Sequence, residues 1–192
     1  MDKAYYELLK QLQKDPTYLK TQNDYIKERF EKIKDDIIKE FDEHPVTVEI
    51  KGGIYAENIS GTLGGITNLY SFIGFDENTD PTAPIRELLL SSKYRIINSS
   101  NGMSSQVMFE IPTTKEIFDM TPMPWATGRS WARGIESGIS GLGYYLKKVK
   151  NSRSGLGVQS STSKVRSGAV FRNTKYISDL IRRFESRLKD LN

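Results

Sequence analysis

A chain of 192 residues is long enough for one domain with a full hydrophobic core. Its 37% hydrophobic and 27% charged residues put it on the polar side of globular proteins, well short of a disordered composition. It has no cysteine, which excludes disulfides, thiolate zinc sites and cysteine nucleophiles and fits a reducing compartment.

The start, MDKAYYELLKQLQKDP, is charged and amphipathic and lacks the apolar core of a signal peptide. No stretch approaches the roughly 18 apolar residues of a membrane span, so a soluble chain made in the cytoplasm is expected. Residues 3–12 have a short helical pattern that Asp15-Pro16 breaks. A stronger helix is predicted from about Asp24 to Phe41, because Ile26, Phe30, Ile33, Ile37 and Phe41 recur at spacings of four and three. His44-Pro45 ends it, and a protonated His44 would suit the helix dipole.

VTVEI alternates as a half-buried strand does, with Val46, Val48 and Ile50 on one side. A second extended piece is predicted around Ile54–Ile59 between glycine pairs, and NLYSFIGF reads as a third. Asp80-Pro81 supplies a cap and first residue for the short helix TAPIRELLL. YRII and SQVMFEI bracket NSSNG, a hairpin signal in which Val107, Phe109 and Ile111 share a face. Thr113 and Glu116 have capping-box spacing, so a brief helix follows.

PWATGRSWARGIESGISGLG, residues 124–143, invites comparison with phosphate-binding loops. A Walker loop places four residues between its glycines and a lysine after them, whereas five lie between Gly128 and Gly134 and Ile135 follows. The dinucleotide fingerprint fails at Leu146. The better reading is a helix capped by Thr127, with Trp131, Ile135 and Ile139 on one face. Gly134 and Gly138 then admit a close neighbour, the protein's own sheet or another subunit. YYLKKV reads as strand, KNSRSGLGVQSSTSKVRSG as a flexible basic loop over about 150–169. The last helix runs from Asn173 or Thr174 to Leu191, with Ile177, Leu180, Ile181, Phe184, Leu188 and Leu191 opposite Arg182, Arg183, Arg187 and Lys189.

The expected fold is α+β: a long N-terminal helix, a mostly antiparallel sheet, and helices that include an amphipathic C-terminal one. Residues 1–22 form an N-terminal extension and 23–192 a single domain.

Chemistry has little to work with. Asp76, Asn78, Asp80 and Glu87 fall at positions 1, 3, 5 and 12 of a calcium loop, but Pro81 replaces the glycine of its sharp turn. A solvated turn is the simpler reading, and no metal or cofactor is assigned. The only histidine is His44, no serine sits in a nucleophile elbow, and no pair of carboxylates stands out, so no catalytic residue is assigned and an enzyme is not expected.

The net charge of +4 conceals a division. Residues 1–120 carry 14 basic and 20 acidic side chains, net −6, whereas residues 121–192 carry 14 basic and 4 acidic ones, net +10. The basic end calls for an acidic partner, either nucleic acid or the acidic face of another copy. Basic residues interleaved with Trp131, Tyr144, Tyr145 and Phe171 suit phosphates and stacked bases, although no named nucleic-acid motif is present.

The layout resembles the small neck proteins of tailed bacteriophages: head–tail joining (head–tail connector), tail-completion and tail-terminator proteins. ATGRSWARGI is similar to the T-G-x-L-x-x-S-I stretch of one tail-completion family. Thr127 and Gly128 match its opening, and Trp131, Gly134 and Ile135 match its apolar, small and isoleucine positions once one residue is inserted before Trp131. The resemblance implies a structural virion protein, made in the host cytoplasm, forming a homo-oligomeric ring around the DNA channel. Its implied partners are its own copies, other neck, portal or tail proteins, and packaged DNA by non-specific contact, with no membrane. Arg129, Trp131, Arg133, Gly134, Gly138, Lys147, Lys148, Lys150, Arg153, Lys164 and Arg166 are then the candidates for subunit or channel contacts. The alternative is a nucleic-acid-binding protein that uses the basic C-terminal third.

Overall fold

The computed structural model describes residues 3–12, 14–63, 67–98, 105–124, 126–138 and 171–191. They form an α+β fold in which α1 (Lys3–Leu12) leads into the long α2 (Pro16–Glu43). Asp15-Pro16 both ends α1 and starts α2. The Asp15 carboxylate accepts from Thr17 N at 2.7 Å and Tyr18 N at 3.2 Å, and Pro16 fills the first position. The helix therefore begins eight residues before the predicted Asp24 and runs through the expected boundary at residue 22. Its predicted face is the inner one: Ile26, Phe30, Ile37 and Phe41 are buried and Ile33 packs against them.

Two predicted strands are helices. Residues 45–51 form α3 (Pro45–Lys51), because Pro45 occupies a first helical position and the His44 ring caps it, Nδ1 accepting from Val46 N at 3.2 Å. A helix turns Val46, Thr47, Glu49 and Ile50 inward and leaves Val48 exposed, so the alternation of VTVEI misleads. NLYSFIGF contains α4 (Leu69–Ile73), capped by the Asn68 carbonyl on Ser71 N and stopped by Gly74 at φ +82°. Between them Gly53–Tyr55 is a 3₁₀ turn and 56–63 is irregular, not the extended piece predicted.

The next helix, α5 (Ala83–Leu90), starts later than Asp80-Pro81 suggests. Asp80 spends its carboxylate on Thr82 N and Oγ1, at 2.9 and 2.6 Å, and Thr82 takes the cap position. The hairpin is as expected: β1 (Lys93–Asn98) and β2 (Ser105–Glu110) pair antiparallel, and Tyr94 and Phe109 press on Phe30. Its turn lies outside the described residues. Thr113 and Glu116 form the predicted capping box at α6 (Thr114–Asp119). A second small antiparallel pair, β3 (Pro122–Met123) and β4 (Ala126–Ser130), delivers α7 (Trp131–Ser137) to the core. After residue 171 the chain returns to α8 (Ile177–Lys189), which lies along α2. Its buried residues are Ile177, Leu180, Ile181, Phe184 and Leu188, as read from the sequence, and Leu191 packs beside them.

Candidate assembly surface

Helix α7 does not start at Thr127, which lies within β4. Ser130 is the cap: its Oγ accepts from Arg133 N at 3.0 Å and pairs with Thr121 Oγ1 at 2.7 Å, while Trp131 N donates to Thr121 O at 2.9 Å. This tie to Thr121 keeps the chain extended through residue 130. Trp131, Ala132, Gly134 and Ile135 then face inward. The Trp131 ring meets Phe75 edge-on at 5.7 Å and lies 6.4 Å from the Tyr176 ring.

At the far end of α7 the chain meets itself. Thr174 N donates to Ile135 O at 3.2 Å. Gly138 ends the helix at φ +86°, and a β-carbon built there would stand 2.9 Å from Asn173 Oδ1. So Gly138 is a helix terminus rather than an interior residue, and its close neighbour is the protein's own chain. The described residues on either side of 139–170 thus meet each other. That stretch of 32 residues holds Lys147, Lys148, Lys150, Arg153, Lys164 and Arg166 and not one acidic residue.

The irregular segment 171–176 is locked down by polar groups that would be costly to leave unpaired. Tyr176 is buried, its hydroxyl 2.8 Å from Thr47 Oγ1, and burial raises its pKa. The His44 ring lies 4.8 Å from the Tyr176 ring. Burial lowers the His44 pKa, and a hydrogen bond to the Lys175 backbone opposes this only in part. The sequence suggested a charged His44 favoured by the helix dipole; the structure favours the neutral ring, whose Nδ1 must accept from Val46 N. Tyr176 stands at the cap of α8 without a side-chain capping bond. Glu136 supplies one across the fold, accepting from Ser178 N at 2.6 Å and from the Ser178 hydroxyl.

Part of the charge division closes within the chain. Glu40 on α2 pairs with Arg183, at 3.0 Å, and with Arg187, and Asp179 pairs with Arg182. Arg133, Arg172 and Lys175 are exposed on the segments that flank residues 139–170, and Arg129 is exposed on β4. Of the candidates read from the sequence, Arg129 and Arg133 are therefore surface cations, and Trp131 and Gly134 are buried in the chain's own core. Gly138 is the C-cap of α7 and the last described residue before 139–170. Ile139, YYLKKV and the six basic residues from Lys147 to Arg166 lie outside the described residues.

A buried acid escaped the sequence reading. Glu49 on α3 is fully buried; its Oε1 accepts from Asn58 Nδ2 at 2.8 Å and Leu69 N at 2.7 Å, and its Oε2 from Ser60 N at 2.9 Å. This carboxylate gathers the irregular stretch 56–63 and the start of α4 around α3. All three of these bonds hold the chain's own structure. Beside it an open depression of about 400 Å³ is lined by Ala56, Glu57, Asn58, Ile59, Thr67 and Asn68.

Within the calcium pattern, the Asp80 carboxylate is taken up by Thr82, and the Asp76 backbone carbonyl accepts from the Tyr70 and Thr79 hydroxyls. Among the described residues, no three His, Cys, Asp or Glu converge as a metal site would require, and no helix is long and apolar enough to cross a membrane. Comparison of the chain with protein-family models, with curated proteins and with solved structures finds no match to any of them.

Proposed function

We propose that this chain is a structural virion protein of a tailed bacteriophage, a ring-forming subunit of the neck or upper tail around the DNA channel, and not an enzyme. One observation carries the reading. The described residues on either side of a cation-only stretch of 32 residues meet on a packed core, and Arg133, Arg172 and Lys175 are exposed on those flanking segments. Such a stretch suits an acidic surface outside the subunit, either a neighbouring copy or the DNA in the channel. The ion pairs of Glu40 with Arg183 and Arg187 take those two cations into contacts within the chain.

The same surface also suits the alternative, a nucleic-acid-binding protein. Light scattering on nuclease-treated protein at low and high salt, with negative-stain images of any large species, separates the two. Closed rings that survive high salt support the assembly reading. A monomer that binds mixed-sequence DNA in a salt-dependent way, weakened by Lys147→Glu with Lys148→Glu, replaces it with the alternative.

A further inference from the structure

His44 ties three elements together: it closes α2, begins α3 and lies against the segment 171–176 that leads into α8. Its Nδ1 accepts from Val46 N at 3.2 Å, so the neutral ring carries its proton on Nε2, and the hydrogen bond to the Lys175 backbone suits that donor. Segment 171–176 is lightly held. Arg172, Asn173 and Lys175 are exposed, and Tyr176 is its buried side chain. Two backbone bonds fix the rest, Arg172 N to Thr62 O at 2.9 Å and Thr174 N to Ile135 O at 3.2 Å. Three rings surround that of Tyr176: Trp131 at 6.4 Å, Phe41 at 6.1 Å and His44, the nearest, at 4.8 Å. Of these, His44 alone can gain a charge.

A second proton would turn Nδ1 into a donor facing the Val46 N–H, which would then lack its acceptor. The end of α2 favours a cation, but the nitrogen that would gain the proton points at the start of α3, where the helix dipole opposes one. Of the charges that act on the ring, Arg183 on α8 disfavours protonation and Asp179 favours it. Both are engaged: Asp179 with Arg182 and Arg183, and Arg183 with Glu40 on α2. The other charges on these elements are occupied as well, Asp42 by Lys51 and Arg86, Glu43 by Lys39, Glu49 by its three donors and Glu136 on α7 by Ser178. Burial is the largest influence, and it lowers the His44 pKa on folding. The ring's contribution is therefore full above its ordinary value of about 6.5 and is lost as pH falls through the lower folded value.

We infer that His44 is an acid-released latch: protonating its ring frees segment 171–176, the C-terminal flank of the cation-only stretch, while the core stays folded. The latch depends on neither the ring reading nor the nucleic-acid reading. Because the chain has a single histidine, one imidazole signal reports its state in an NMR titration of the full chain. Amide exchange at pH 7.5 and 5.5, corrected for intrinsic rates, reports the segment. The Arg172 and Thr174 amides are expected to exchange faster than those of Phe30 and Ile37 at both pH values, as a local opening requires. Between the two they lose up to about tenfold of their protection, the limit for a ring that ionises at about 6.5 once released. In His44→Asn that loss is absent. Protection equal to that of Phe30 and Ile37 at both pH values overturns the latch, because the segment then opens only with the whole domain. A local opening that does not respond to pH, or that responds equally in His44→Asn, overturns it too. If the variant does not fold, the titration of the parent decides: an imidazole with the ordinary His pKa shows that the ring is not held neutral and overturns the latch, and a lowered value together with the pH-dependent local opening supports it.

Discussion

The Glu136 carboxylate on α7 caps α8, 42 residues further on, by accepting from both the backbone N–H and the hydroxyl of Ser178. Helix N-termini leave donors unpaired and attract negative charge, so one well-placed carboxylate serves two purposes. Glu136→Ala is expected to cost about 1 kcal/mol of stability, within the usual range for losing a cap. Glu136→Gln is expected to cost less, since the amide oxygen still accepts. Urea unfolding of the two variants checks the order, and an Ala variant as stable as the parent would show that solvent caps α8 equally well.

Tyr176 and Thr47 form the buried polar link between the start of α8 and α3, at 2.8 Å. Tyr176→Phe leaves the Thr47 hydroxyl buried without its partner and is expected to cost about 1–3 kcal/mol. Thr47→Val alone strands the tyrosine hydroxyl in the same way. The double variant removes both polar groups and is expected to be more stable than the sum of the single losses allows. A double-mutant cycle measures that coupling; strict additivity would mean that the hydroxyls do not depend on each other.

His44 makes stability depend on pH in a stated direction. Its pKa is lowered on folding, chiefly by burial, with Arg183 adding to the effect and Lys175 and Asp179 opposing it. The folded protein therefore binds the His44 proton less readily than the unfolded chain. The contribution is full above the unfolded pKa of about 6.5 and is lost as pH falls through the lower folded value. His44→Asn keeps an acceptor for Val46 N but no titrating ring. The stability difference between parent and variant is expected to move against the parent as pH falls from 7.5 to 5.5. A constant difference across that window would show that His44 titrates alike in both states.

The elements legible in the sequence are those whose signal is local. The four- and three-residue spacing of Ile26 to Phe41, the Thr113–Glu116 box and the apolar stripe of α8 each contain their own evidence. VTVEI does not, because Val46 and Ile50 are inward in a helix as well as in a strand. What decides is His44-Pro45, which ends one helix and starts the next. The charge division was visible, but not that Glu40 would meet Arg183 and Arg187 more than 140 residues away. Glu49 was invisible for the same reason: Asn58, Ser60 and Leu69 come to it only through the turn at Gly53–Tyr55.

Glu49 also yields the largest stability effect expected here. Its two oxygens take three donors in a fully buried place, two of them backbone N–H groups with no other partner in reach of a shorter side chain. Glu49→Ala strands those donors and leaves a void, an expected loss of about 3 kcal/mol or more. Glu49→Gln keeps the volume but replaces one acceptor oxygen with a donor, which must face Ser60 N or the Asn58–Leu69 pair; about 1–3 kcal/mol is expected. Hydrogen exchange localises the change. In the Gln variant, the amides of Ser60 and Leu69 should lose protection before those of α8, because the carboxylate holds the 56–69 stretch and not the helix pair. Equal loss across both regions would mean that Glu49 supports the whole core rather than this one fold-back.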